Sequence, residues 1–208
     1  MKEYIASDYH FYHNNICGED AFVPLRKQFK DAQAMNETII KNHNAVVTDD
    51  DIVYIAGDLG MNVRPRVLLE TLKQLNGQLW LVLGNHDSMT KHFKFFGNNN
   101  YELPDGRMKF VLEPMGIRLK RNKKVYMITH YPLGLGEKRK KLRSFHGHIH
   151  DTASREANCL NICIDSPELP KGHPFGAPLP LEVAISLVEE KWEAWFEQYG
   201  AQASHYTT

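Results

Sequence analysis

At 208 residues the chain has room for one domain with a sizeable core. Hydrophobic residues make up 42% and charged residues 24%, an ordinary globular balance that excludes a disordered chain. Lys plus Arg and Asp plus Glu are equal at 25 each, so net charge points to no class of partner. Cys17, Cys159 and Cys163 show neither a framework spacing nor a Cys-x-x-Cys pair. They fit small apolar residues in a reduced compartment better than disulfides or a thiolate zinc site. Met1–Glu3 leads straight into strand-like Tyr4–Ala6, and no segment nears the roughly twenty apolar residues of a membrane span. A cytoplasmic location without a membrane partner is therefore expected.

Taken in chain order, short apolar runs alternate with longer amphipathic ones, which predicts an α/β chain. Strands are expected at Tyr4–Ala6, Ile52–Ala56, Leu79–Leu83, Val125–Ile128 and Leu160–Ile164. Helix-compatible spacing runs from Arg26 to Val46 and from Arg66 to Leu75, the second stopping at Asn76–Gly77. Lys109–Leu112 and Gly116–Leu119, separated by Glu113–Pro114–Met115, read as two arms of a hairpin. Five prolines between Pro167 and Pro180 exclude regular structure there. Leu181 to Tyr199 then gives one more amphipathic helix, with Val183, Leu187, Val188, Trp192, Trp195 and Phe196 largely on one side. A lone helix cannot bury such a face by itself. Residues 1–208 are thus expected to form a single domain, with loop 167–180 and helix 181–199 docked on it.

Five polar segments recur where expected strands end: Asp8-Tyr9-His10, Gly57-Asp58, Gly84-Asn85-His86-Asp87, His130 and Gly147-His148-Ile149-His150. Beyond the carboxyl ends of strands is where functional groups gather in open α/β sheets. Imidazole and carboxylate together suit manganese, iron or zinc. An Asp or His two positions from another His can converge on one ion from an irregular turn, and one carboxylate such as Asp58 can bridge two ions. Any one of these segments is an ordinary turn or surface pattern. Five in order at strand ends are not.

The series Asp8-x-His10, Gly57-Asp58, Gly84-Asn85-His86-Asp87, His130 and Gly147-His148-x-His150 resembles the calcineurin-like metallophosphoesterases, over about residues 4 to 165. The resemblance implies a sandwich of two mixed β-sheets flanked by helices. It implies one metal on Asp8, His10, Asp58 and His150, and another on Asp58, Asn85, His130 and His148. His86 would be the catalytic residue beside the scissile ester, not a ligand. Ser7-Asp8-x-His10-Phe11-x-His13-x-Asn15-Ile16 and Asn161-Ile-Cys-Ile-Asp165 look like a small bacterial and phage branch. Met61 stands where the protein serine/threonine phosphatases of the family have an acidic residue, and their Asp-Arg-Gly is missing. A phosphoprotein phosphatase is disfavoured, and the partner orienting His86 stays unassigned.

Two divalent ions are thus expected, manganese foremost in vitro, with iron, zinc or nickel also suitable. A metal-bound hydroxide would attack phosphorus in line, and His86 would protonate the leaving oxygen. Asn85 and His13 are expected to contact substrate, with a surface role equally open for His13. Asp87 either orients a neighbouring histidine or caps a turn. His43 and His205 are expected at the surface, and His146 in packing or beside the ligands. Between Arg118 and Arg143 ten cations face Glu137 alone. A solvated face is the plain reading; a loop from Lys138 to Arg143 at the mouth of the site would favour nucleotides or nucleic acid. The competing class is a scaffold that keeps the fold and has lost turnover, as in the retromer subunit resembling this family. Its expected mark, a replaced ligand or a replaced His86, is absent. A zinc peptidase would need a His-Glu-x-x-His helix, which the chain lacks.

Overall fold

A computed structural model describes the backbone of residues 1–136 and 140–203, with side chains as far as 199. Two sheets form its centre. The first has the order β4-β3-β2-β1-β9, with β1 (Glu3–Ala6), β2 (Ile52–Ile55), β3 (Gln78–Leu81) and β4 (Phe110–Leu112) parallel. Its last strand, β9 (Leu179–Pro180), runs antiparallel to β1. The second sheet has the order β5-β6-β7-β8. Here β5 (Ile117–Arg121) pairs antiparallel with β6 (Lys124–Thr129), and β6, β7 (Leu142–His146) and β8 (Cys159–Asn161) are parallel.

Side chains alternate across a strand, so each sheet face builds a separate layer of core. Tyr4, Ala6, Val53, Ile55, Leu79 and Leu81 point to one face of the first sheet. There they pack with Met35 and Ile39 of α1 (Ala32–Val46) and with Leu68, Leu69 and Leu72 of α2 (Pro65–Leu72). Ile5, Tyr54, Ala56 and Val82 on the other face meet Ile117, Tyr126, Ile128, Phe145 and Leu160 of the second sheet. Leu181, Ala184 and Val188 of α4 (Leu181–Ala203) close that second layer. The expected sandwich of two mixed sheets flanked by helices is the fold observed. Among the described residues no helix is long and apolar enough to cross a membrane.

Several local expectations change. Lys109–Leu112 and Gly116–Leu119 do not pair: β4 extends the first sheet while β5 opens the second. The hairpin partner of β5 is β6, joined through Asn122 and Lys123, both at positive φ. Helix α1 begins six residues later than its spacing suggested. The Asp31 carboxylate caps it by accepting the Ala34 N–H at 2.8 Å, and Arg26 lies on a separate 3₁₀ turn at Pro24–Gln28. The α2 segment stops at Leu72. A short helical stretch, Met89–Phe93 leading into α3 (Lys94–Asn98), was not foreseen, nor was β7. The proline-rich loop does end in a strand, for Pro180 sits on the edge strand β9, where a missing N–H is tolerated. On α4, Trp192 is buried but Phe196 is exposed, so the apolar face is covered only along its first part.

Candidate metal centre

Parallel strands bring their carboxyl ends to one edge, and that edge gathers the polar segments. Asp8 and His10 follow β1, Asp58 follows β2, Asn85 and His86 follow β3, His130 follows β6, and His148 and His150 follow β7. The loops are drawn together by main-chain bonds, among them Asp8 N–H to the Gly57 carbonyl at 3.1 Å and His10 N–H to the Asp58 carbonyl at 2.9 Å. Two glycines let them close. A Cβ on Gly84 would run into the Asp58 carboxylate, and one on Gly147 into Ser7 and the Asp8 carboxylate.

Backbone strain marks the same residues. Asp8, His10, Asp58, His148 and His150 all have positive φ, between 47° and 72°. Among the described residues they are five of the nine non-glycine residues in that region, which sterically costs side-chain-bearing residues about 1–3 kcal/mol each. The chain accepts this only where the surrounding fold imposes it.

Asp8 and Asp58 are each half tied and half free. Asp8 Oδ2 accepts from Ser7 Oγ at 2.5 Å, from His148 N–H at 3.0 Å and from Cys163 Sγ at 3.1 Å. Asp8 Oδ1 is buried without a hydrogen-bond partner among the described residues, as is His10 Nε2. These two atoms lie 3.6 Å apart, too far for a hydrogen bond, with His150 Nε2 3.9 Å from the same Oδ1. Asp58 Oδ1 accepts the His86 N–H at 2.9 Å, while Oδ2 faces His10 Nε2 at 3.4 Å and His130 Nε2 at 3.5 Å. His130 Nδ1 donates to the Ala56 carbonyl at 2.9 Å, which leaves a lone pair on Nε2. That lone pair faces Asn85 Oδ1 at 2.8 Å, and His148 Nδ1 approaches the same oxygen at 2.8 Å. Electron-pair donors crowd together here with too few protons to satisfy them, which a cation resolves. The residues fit divalent cations. Asp8–His150–Cys163, His10–Asp58–His86 and Asp8–Asp58–His130 each offer three donor atoms within 4.8 Å of one another.

The electrostatics favour such occupancy. Burial alone would raise the Asp8 carboxyl, but the facing His10, with His150 and His130 beyond, holds it well below the usual carboxylate range. Burial lowers His10 and His148, keeping their imidazoles neutral as ligation requires. His150 is the exception: burial pulls it down, yet the Asp165 carboxylate raises it above the ordinary value.

In sequence Asp165 belongs only to the branch pattern, and the spacing puts Arg26 at the start of a helix. In the fold they form the underside of the centre. Asp165 Oδ2 lies 3.0 Å from His150 Nδ1 and 2.5 Å from Arg26 Nε. Arg26, fully buried, also donates to the Asp8 carbonyl at 2.6 Å and to the Tyr9 carbonyl at 3.3 Å, pinning the strained turn from below. Cys163, expected in or near the core, is buried; burial and the nearby Asp8 charge raise its thiol well above normal, so it donates to Asp8 as S–H. Asp87 caps the Gly84 turn, accepting from the N–H groups of Gly84 at 2.9 Å and Leu59 at 3.1 Å.

His86 lies at the open side of the centre, with Nε2 3.9 Å from Asp58 Oδ2 and its ring 5.3 Å from that of His10. His13 is half-buried, its ring 5.2 Å from His10 and 6.2 Å from His86, and burial lowers it to about 4. His146 packs behind the ligand loop, bonded to Ser154 Oγ at 2.5 Å. His43 is not at the surface. It sits on the core side of α1, four residues after Ile39, with Tyr9 Oη at 3.0 Å and the Asn76 carbonyl at 3.1 Å. His205, with Lys138 and Arg139, lies outside the described residues.

Among the described residues of the basic stretch, Arg121, Lys124, Lys140 and Lys141 lie away from this edge. Arg121 pairs with Glu3 at 2.8 Å, and Lys124 and Arg143 pair with Glu189 of α4 at 2.6 and 2.8 Å. The Lys140 ammonium lies over Phe196 at 5.2 Å. Lys124 and His130 are separated by the length of β6, about 20 Å at the rise of a strand. Leu142 is in register with Val125, which puts Lys140 and Lys141 at the same far end.

The calcineurin-like phosphoesterase family model matches residues 1–157. This chain belongs to the calcineurin-like phosphoesterase family. Membership implies divalent metal ions and phosphate-ester substrates. An uncharacterized protein of Methanocaldococcus jannaschii is 38% identical over 102 residues, 49% of this chain and 55% of that protein. The chain thus spans about half the length of the curated relative it matches. A protein of unknown function from Aquifex aeolicus shares the fold, with a TM-score of 0.61 at 21% identity over 89% of this chain and 98% of that one. An archaeal phosphodiesterase is more distant, with a TM-score of 0.45 at 18% identity over 80% and 84% of the two chains.

Proposed function

We propose that this phosphoesterase-family chain is a metal-dependent hydrolase of phosphodiester or phosphomonoester bonds in nucleotides or nucleic acid. One ion would be held by Asp8, His10, Asp58 and His150, the other by Asp58, Asn85, His130 and His148, with Asp58 shared. The observation that carries this reading is the pair of buried, unsatisfied atoms Asp8 Oδ1 and His10 Nε2 facing the free oxygen of Asp58. Two divalent cations, manganese foremost and iron, zinc or nickel besides, would polarise the phosphate and lower the pKa of the attacking water. His86, a third of its side chain exposed beside Asp58, donates a proton to the leaving oxygen. Neutral His13 and the Asn85 amide contact the phosphate oxygens. Residues 1–208 act as one domain, a reading supported by the packing of α4 against β1, β8 and β9. Three free cysteines support a cytoplasmic location.

The test is a hydrolysis panel on metal-reconstituted protein, spanning aryl phosphate esters, cyclic nucleotides, RNA and DNA. Asp58→Asn should lose both metal and turnover. His86→Ala should keep its metals and lose about 10²–10⁴-fold in turnover, the usual share of general acid–base catalysis. No hydrolysis of any substrate by protein carrying two ions would leave the silent scaffold as the reading. Equal metal loss in both variants would make His86 a ligand.

A further inference from the structure

Two large aromatic side chains stand exposed against the ligand histidines with no evident part in folding. Phe22 is 65% exposed between buried Ala21 and Val23, and its ring lies edge-on to His150 at 6.0 Å. The loop presents it rigidly: the Ala21 N–H bonds to the Gly18 carbonyl at 3.1 Å, and the Val23 carbonyl accepts from Arg26 N–H at 3.0 Å. Tyr131 is 51% exposed, its ring 4.7 Å from that of His148 and 5.0 Å from that of His130. Its backbone is held by the bond from Thr129 Oγ1 to the Tyr131 carbonyl at 2.8 Å, and Pro132 follows it. One ring borders each half of the centre, His150 on one side and His130 with His148 on the other. A phosphodiester seated over Asp58 would have one substituent on the Phe22 side and one on the Tyr131 side.

We propose that Phe22 and Tyr131 form an aromatic bracket stacking the groups on either side of the scissile phosphate, which makes the substrate a phosphodiester with a nucleobase on each side. This rests on the phosphoesterase reading above and narrows it. Stacking on exposed rings is tolerant of base identity, because every base has a π-face. With Arg121, Lys124, Lys140 and Lys141 at the far end of the sandwich, stacking supplies a grip on the bases that those cations do not. The chemistry of the ligand follows from the rings: planar, aromatic, and one sugar removed from the phosphate.

The experiment uses the full chain loaded with manganese and three non-hydrolysable dithymidine analogues joined by a methylene phosphonate. One carries both bases, and each of the others has an abasic tetrahydrofuran in place of one nucleoside. Binding is read by titration calorimetry. The wild type should bind the two-base analogue about 5- to 150-fold more tightly than either abasic one, the range that single-base stacking spans. Phe22→Ala should erase the preference at one position and Tyr131→Ala at the other, while Tyr131→Phe, which keeps the ring, should retain it. Both side chains are more than half exposed, so the alanine variants leave the core filled. A wild-type preference below about twofold, or a preference surviving either alanine variant at both positions, overturns the bracket. Hydrolysis without base preference would sink this inference and leave the phosphoesterase standing; no hydrolysis across the ester panel would sink the phosphoesterase reading, and the substrate assignment with it.

Discussion

Replacing Asp165 with asparagine isolates what the underside of the centre contributes. Asp165 and Arg26 are both fully buried, with Nε and Oδ2 at 2.5 Å. Burial alone would raise the Asp165 carboxyl, and the guanidinium with His150 pulls it below the ordinary value, so the carboxylate is charged in the fold. Asparagine keeps the shape and one acceptor but leaves the guanidinium buried without a counter-charge. Breaking a buried pair on one side costs about 3–5 kcal/mol, and the retained acceptor argues for the lower end. For a chain of this size about 3 kcal/mol lowers the melting temperature by about 6–12 °C. The second effect is on the metal. Asp165 fixes His150 through its Nδ1, and removing such a partner weakens metal affinity by about 10- to 100-fold. Calorimetric melting in chelator reads the first effect, and metal titration of the folded variant reads the second. Asp105→Asn is the comparison: it removes a surface pair with Arg107 at 2.6 Å and should leave metal affinity unchanged. A normal metal affinity in a destabilised Asp165→Asn protein would refute the positioning role. A normal melting temperature would refute the buried-pair argument itself.

Two further outcomes are expected. Elemental analysis of reconstituted protein should give two ions per chain, and fewer than one at saturating metal would overturn the assignment of Asp8, His10, Asp58, Asn85, His130, His148 and His150. Burial holds His43 at about 4 against 6.5 when unfolded, so stability is complete above 6.5 and falls as the unfolded chain takes up a proton on acidification. Relative to His43→Gln in chelator, the wild type should lose about 3 kcal/mol between pH 6.5 and 4 in urea unfolding, and a pH-independent difference between the two would contradict the burial.

Much of this was legible because its cause is local. Ile52–Ile55 and Gln78–Leu81 carry short apolar runs that match what strands buried on both faces need, and the polar segments stand out because they interrupt such runs. Pairing is not local, and there the sequence misleads. Lys109–Leu112 and Gly116–Leu119 lie close in sequence with a turn between them, yet β4 finds its partner in β3 and β5 in β6. Strand β7 hides because Leu-Arg-Ser-Phe-His has no apolar run. Its Arg143 is buried by Glu189 at 2.8 Å and Trp192 at 4.5 Å, partners from a helix more than forty residues away. His43 was legible and missed: Met35, Ile39 and His43 repeat every four residues on one helical face.

The candidate site divides in the same way. Its polar segments could be read because each follows a strand, but nothing in a sequence distinguishes the free oxygen of Asp8 from the tied one. That distinction comes from Ser7, His148 and Cys163 all donating to Oδ2, the last two from more than one hundred residues away. The left-handed turns at Asp8 and His10 are likewise unreadable, since neither residue type requires positive φ. Arg26 holds them there by gripping the Asp8 and Tyr9 carbonyls, and Arg26 is itself fixed by Asp165, 139 residues further on. A long-range ion pair therefore sets the local backbone, and the local backbone leaves Asp8 Oδ1 and His10 Nε2 buried 3.6 Å apart without a hydrogen-bond partner among the described residues. Donor atoms held apart from their own hydrogen-bond partners by the rest of the fold are ready for a cation before one arrives, and that readiness is a property of the folded chain rather than of any motif within it.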